Sequence, residues 1–127
     1  MKNLTSPLNK AKGLGSAKEG SGHWIAQRIS AIALIPLIIW FLSSLAKIAS
    51  GGYIDTTMWL TNPINAVLCI LFIIAMFYHG ALGMQVIIED YVTSIRKKYL
   101  AIILLKLLCY AAMAIGTFCV LSIYFKG

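Results

Sequence analysis

His79 stands inside a stretch, Thr56 to Ile88, that contains no charged side chain. Counted from Ile88 at the helical rise, it lies roughly 13 Å deep if that stretch crosses a bilayer. An imidazole at such depth is a functional candidate by default, although it can also serve as a hydrogen-bonding link between helices. Ala75 and Gly83 lie one turn to either side of it, so the ring rises from a face stripped of bulk. Two readings follow: close helix packing through small residues, or a slot for a flat ring system that wants an imidazole ligand. Haem is the obvious planar group of that kind. A single histidine on one face leaves the second axial ligand to a partner.

Asp90 comes eleven residues after His79, three helical turns plus about 20°. The two share a face, about 16 Å apart along the axis. Glu89 and Asp90 end the apolar stretch, where a helix dipole disfavours negative charge. Pairing with Arg96, Lys97 or Lys98 would explain them structurally. The chemical alternative is an acidic relay at the membrane surface beside Tyr91, whose phenol can donate a hydrogen bond to a quinone carbonyl and be reprotonated from the aqueous side. A second group, His23, Trp24, Gln27 and Arg28, forms a polar and aromatic collar before the first apolar stretch. The arginine fork suits a carboxylate such as a haem propionate, and equally a plain topology charge with Trp24 as interface anchor.

These residues need elements to hold them, and composition names the class. The 127 residues are 60% hydrophobic and 12% charged, and mean hydropathy is +0.84. An ordinary soluble domain is about half apolar and a quarter charged. No charge interrupts Ile29–Ala46, Thr56–Ile88 or Leu107–Phe125, and each stretch is near the length of about 20 residues that spans a hydrocarbon core about 30 Å thick. The fold expected is all-α, with three transmembrane helices over about 26–48, 63–88 and 99–125. They form one domain, 26–125, behind a basic arm, 1–25. Pro36 is tolerable within the first span. Ser50-Gly51-Gly52 ends that span, and a loop leads to Asn62-Pro63, where asparagine can cap and proline can take the first helical position of the second. Lys106, inside the third span, can snorkel to the nearer surface.

Orientation follows from basic residues in the short flanks. Lys2, Lys10, Lys12, Lys18 and Arg28, with Arg96, Lys97 and Lys98, lie on one side; Lys47 and Lys126 lie on the other. The amino terminus is therefore expected inside and the carboxyl terminus outside, with Trp24, Tyr91 and Tyr99 at the inner interface and Tyr53, Trp59 and Tyr124 at the outer. The net charge of +7 reads as orientation and contact with anionic lipids rather than nucleic acid. The arm has neither the apolar core of a signal peptide nor the arginines of a transit peptide. The chain is thus expected to be mature at Met1 and to belong in a bacterial inner membrane rather than a mitochondrial one. Cys69, Cys109 and Cys119 fall inside spans without C-x-x-C pairing and read as small buried apolar residues.

The run His79-Gly80-Ala81-Leu82-Gly83-Met84-Gln85-Val86-Ile87-Ile88-Glu89-Asp90-Tyr91, or H-x-x-x-G-M-x-x-I-x-x-D-Y, closely resembles the second-span signature of the hydrophobic membrane anchor (D-type) subunit of succinate dehydrogenase, respiratory complex II. Gly22-His23-Trp24-Ile25-Ala26-Gln27-Arg28-Ile29-Ser30-Ala31 is similar to that family's entry into span one. The resemblance implies that His79 is an axial ligand to haem b, the other ligand coming from a cytochrome b556-type anchor subunit. Arg28, with His23, would contact the haem propionates, and Ala75 and Gly83 would line the haem slot. Tyr91 and Asp90 would bind ubiquinone. The implied partners are the flavoprotein and iron-sulfur subunits, the companion anchor subunit and membrane lipids, and this chain performs no chemistry alone. A fumarate reductase anchor, running the reaction in reverse, is the nearest alternative. A self-assembling membrane protein such as a phage holin is the other class, and it gives no reason for His79, Asp90 and Tyr91 to align.

Overall fold

The computed structural model describes residues 7–8 and 18–126, so most of the basic arm lies outside the described residues. Within residues 18–126 four helices follow in order: α1 (Lys18–Ile48), α2 (Gly52–Thr61), α3 (Pro63–Tyr91) and α4 (Ile95–Lys126). Among the described residues there is no strand. Three helices are long and apolar enough to cross a membrane, over Gly20–Ile48, Pro63–Tyr91 and Ile95–Lys126. The all-α, three-span architecture is thus the one the sequence predicts.

All three run past the hydrocarbon limits expected of them. The 29 residues of α3 measure about 43 Å, against a core of about 30 Å. Hydropathy marks where lipid begins, whereas helical hydrogen bonding continues until a residue breaks it. The polar collar contains no such breaker, so α1 is helical throughout it and passes through Pro36. At the other end of the chain's second span, only Val92, Thr93 and Ser94 separate α3 from α4. Arg96, Lys97 and Lys98 therefore stand in the first turn of α4 instead of in a loop.

The corner between α1 and α3 is more structured than the loop expected there. Gly52 turns with φ 67, a left-handed conformation that glycine adopts without the cost of a Cβ, and α2 follows. The Asn62 side chain then accepts from Ile64 N at 2.9 Å and Asn65 N at 3.4 Å, with Pro63 as first helical residue. That is the cap the sequence suggested, satisfying donors a helix start leaves orphaned. The Asn65 amide in turn donates to the Trp59 carbonyl at 3.0 Å and fixes α2 against α3.

α3 is the central helix: it packs on α1 and on α4, while no Cα of α1 comes within 8 Å of one in α4. The short α2 touches all three long helices. The core sits at that end, where Leu60, Ala66, Cys69 and Val120 are buried with Trp40, Trp59, Ile73 and Tyr124 packed around them. Trp40 stacks on Trp59 with centroids 5.4 Å apart, and Phe41 on Phe72 at 4.7 Å. Elsewhere large apolar side chains such as Ile39, Leu107, Leu108 and Phe118 are exposed, as suits lipid or neighbouring subunits. Cys69 is buried, but Cys119 faces outward, because the bundle has only one core and that position of α4 turns away from it.

Close approach of α3 and α4 depends on Gly116, where an added Cβ would lie 3.1 Å from Ile73 Cγ2. Gly116→Leu is expected to overpack this contact at a cost of about 1–3 kcal/mol. The purified protein in mild detergent should melt several degrees lower, and adding Ile73→Ala should recover part of the loss. An unchanged melting curve for the single variant would refute this docking.

Candidate functional site

α1 and α3 meet across a polar contact in a largely apolar interface. On α1, residues 23, 27, 30 and 34 recur at helical spacing and face one way. Ser30 and Leu34 on that stripe are buried. The Ser30 hydroxyl donates to the Gln27 carbonyl at 2.9 Å and lies 3.0 Å from His79 Nδ1 on α3. His79 is half-buried, and Nε2 has no hydrogen-bond partner among the described residues.

A cleft of about 370 Å³ opens beside the ring, lined by Trp24, Gln27, Arg28, Ala31 and His79. The fold thus brings Arg28 and His79, far apart in sequence, to one cavity. The guanidinium carbon of Arg28 lies 5.3 Å from the Trp24 ring centre, a cation–π contact that holds the charge at the cleft. Gly83 also faces this region: a Cβ there would meet only the Gln27 amide nitrogen, at 3.9 Å. Ala75 lies elsewhere. It lines a neighbouring apolar groove of about 520 Å³ with Ala26, Ser30, Ala33, Leu71 and Tyr78 among others. Ser30 borders this groove and touches His79 of the cleft; of the two small residues flanking His79, Ala75 lines the groove, while Gly83 is among the lining residues of neither cavity.

His23 is not among the residues lining the cleft. Its Nε2 is buried and without a hydrogen-bond partner. At the far end of α3, Asp90 and Tyr91 are exposed, Tyr91 by 82%. The helix stops immediately after them, where Val92 N–H donates to the Ile88 carbonyl at 3.0 Å. Among the described residues no ion pair joins Glu89 or Asp90 to Arg96, Lys97 or Lys98. Glu89 instead accepts from the Gln85 amide at 2.8 Å, one turn back on the same helix. The competing structural explanation for the acids is thus not realised in this chain alone.

Lys106 lines a smaller cleft of about 150 Å³ between α3 and α4, with Tyr78, Gln85, Cys109 and Tyr110 among its neighbours. Among the described residues no cluster of three metal-ligating His, Cys, Asp or Glu side chains occurs. Ser30 is the residue that reasoning from the sequence passed over. Its signal was the polar stripe of His23, Gln27 and Ser30 on one face of an apolar helix, which marks the side that must find partners.

Residues 2–113 match the family model described as succinate dehydrogenase/fumarate reductase transmembrane subunit. A succinate dehydrogenase hydrophobic membrane anchor subunit of Rickettsia bellii is 38% identical over 120 residues, covering 93% of this chain and 92% of the relative. The succinate dehydrogenase membrane anchor subunit of Reclinomonas americana is 32% identical over 99 residues, covering 76% and 82%. The hydrophobic anchor subunit of Paracoccus denitrificans is 33% identical over 86 residues, covering 68% and 67%. No solved structure matches.

Proposed function

Since the chain belongs to the succinate dehydrogenase/fumarate reductase transmembrane subunit family, we propose that it anchors a succinate-oxidising flavoprotein and its iron-sulfur partner to a bacterial inner membrane, and that with a companion cytochrome b556-type subunit it builds a haem b pocket and a ubiquinone-reduction site. The observation that carries this reading is the shared cleft of His79 and Arg28. It offers an imidazole nitrogen for iron and a guanidinium for carboxylates in one cavity, the donor set that a haem with propionates requires. His79 would be one ligand to the iron, and the companion subunit would supply the other.

His79 would hold the iron through Nε2, Gly83 keeps the approach clear, and Arg28, steadied by Trp24, would bind the propionates. His23, with its unpaired Nε2, is the second candidate contact there. Ala75 borders the adjoining groove and keeps that side of α3 thin. When bound, the haem would supply a one-electron store. At the membrane surface Tyr91 would donate its phenolic proton to a quinone carbonyl, and Asp90 would return a proton to it from the aqueous side. The exposure of both suits a site that is completed by another subunit. This role needs the amino terminus and the α3–α4 connection on the side of the soluble subunits, the orientation that the excess of flanking basic residues favours. Relatives named for succinate dehydrogenase favour succinate oxidation over fumarate reduction.

The broadest test is to purify the chain in mild detergent and identify what comes with it. Two large soluble subunits, a second small anchor and a b-type reduced-minus-oxidised spectrum are expected, and a colourless homo-oligomer would overturn the reading. In the assembled complex, His79→Leu should abolish or strongly weaken the haem b band, and an unchanged spectrum would remove His79 as ligand. Tyr91→Phe should slow succinate-to-quinone transfer at least tenfold, the lower end of what proton donors contribute at about 10²-fold or more being partly rescued by water. Succinate oxidation by a soluble artificial acceptor should be retained. Equal loss of both activities would point to failed assembly instead.

A further inference from the structure

Ser30 is buried within the α1–α3 contact, 7% exposed, so water competes little for its hydroxyl. That hydroxyl has one proton, and it is directed 2.9 Å to the Gln27 carbonyl on the preceding turn, a bond that serine commonly makes inside a helix. What the oxygen offers the imidazole, 3.0 Å away at Nδ1, is therefore a lone pair. An acceptor at that distance needs a donor opposite it, which places a proton on Nδ1. A neutral imidazole has only one such proton, so Nε2 is left as a bare lone pair.

From this relay, Nδ1–H to Ser30 Oγ and Ser30 O–H to the Gln27 carbonyl, we propose that Ser30 is a positioning residue which selects the tautomer and orientation of His79. The inference rests on the reading of His79 as a haem ligand and deepens it. Metal-binding histidines donate their second ring N–H to a carboxylate, carbonyl or water, which fixes the ring and raises the basicity of the ligating nitrogen. A carboxylate in that role would leave a charge within the span, which is costly. A hydroxyl that itself donates a hydrogen bond to a main-chain carbonyl polarises Nδ1–H with no net charge. The arrangement also explains why a buried serine occupies an otherwise apolar stretch of α1. Its hydroxyl is the only side-chain hydrogen-bond partner of His79 among the described residues.

The test compares Ser30→Thr with Ser30→Val in the assembled complex, since the two side chains have nearly the same shape and differ in the hydroxyl. Ser30→Thr should keep wild-type haem occupancy and midpoint potential. Ser30→Val should retain haem about 10- to 100-fold less tightly, the usual cost of losing such a partner. Whatever haem it keeps should have a raised potential, because a less basic ligand stabilises the oxidised iron less. A tenfold shift in the oxidised-to-reduced ratio corresponds to about 59 mV for one electron. Equal behaviour of the two variants, whether both normal or both defective, overturns the role of the hydroxyl. The haem spectrum of His79→Leu separates this from the underlying reading: if it retains full haem, the ligand assignment itself fails.

Discussion

Hydrocarbon offers no water to a polar group, and this governs most of what is specific about the chain. Each N–H, carbonyl and side-chain donor within the spans must find its partner in the protein. Main-chain groups do so by forming helices, which is why the chain between Lys18 and Lys126 is almost entirely helical. The few polar side chains left over then decide how the helices meet. Ser30 and His79 satisfy one another across α1 and α3, and Asn62 and Asn65 absorb the loose ends where α2 turns into α3. Apolar side chains impose no comparable demand, since lipid suits them as well as another helix does. The outer faces of α3 and α4 are accordingly left exposed.

The same constraint explains what could be read from the sequence. Long uncharged stretches betray spans because the cost of a charge in lipid is large, and Asn62-Pro63 betrays a helix start because capping is a local matter. His79 was conspicuous for the reason that made it expensive. Features set by two segments together were less legible. Gly51-Gly52 suggested an open loop, yet α2 forms because Trp59 finds Trp40 to stack upon, a contact between residues on different helices. Ser30 looked like an ordinary small residue until α3 placed a ring against it. Ala75 and Gly83 share a helix face, but the crossing of α1 over that face divides the space beside it in two. Periodicity along one helix does not report where another will lie.

The two chemical regions of the chain differ in how far it completes them. The His79 cleft has a hydrogen-bonded second partner and an arginine held by a neighbouring ring, both supplied internally. The end of α3 is different: Asp90 and Tyr91 project from the last turn without a partner from the basic residues five to eight positions later. Negative charge at the carboxyl end of one helix and positive charge at the amino end of the next both oppose the helix dipoles. The hydrogen bond that Glu89 accepts comes from Gln85, one turn back on its own helix.

The attachment of α2 to all three long helices, together with the separation of α1 from α4, leaves α1 tethered at one end through α2 and along its length by α3. α4 is tied at both ends, since only Val92, Thr93 and Ser94 join it to α3 at the other. His79 lies about 24 Å along α3 from Pro63, well away from α2. A few degrees of rotation of α1 at its α2 end become a displacement of about an ångström or more at that distance. Such a rotation of α1 would part Ser30 from His79, so the hydrogen bond between them, at 3.0 Å, sets the width of the gap beside the histidine.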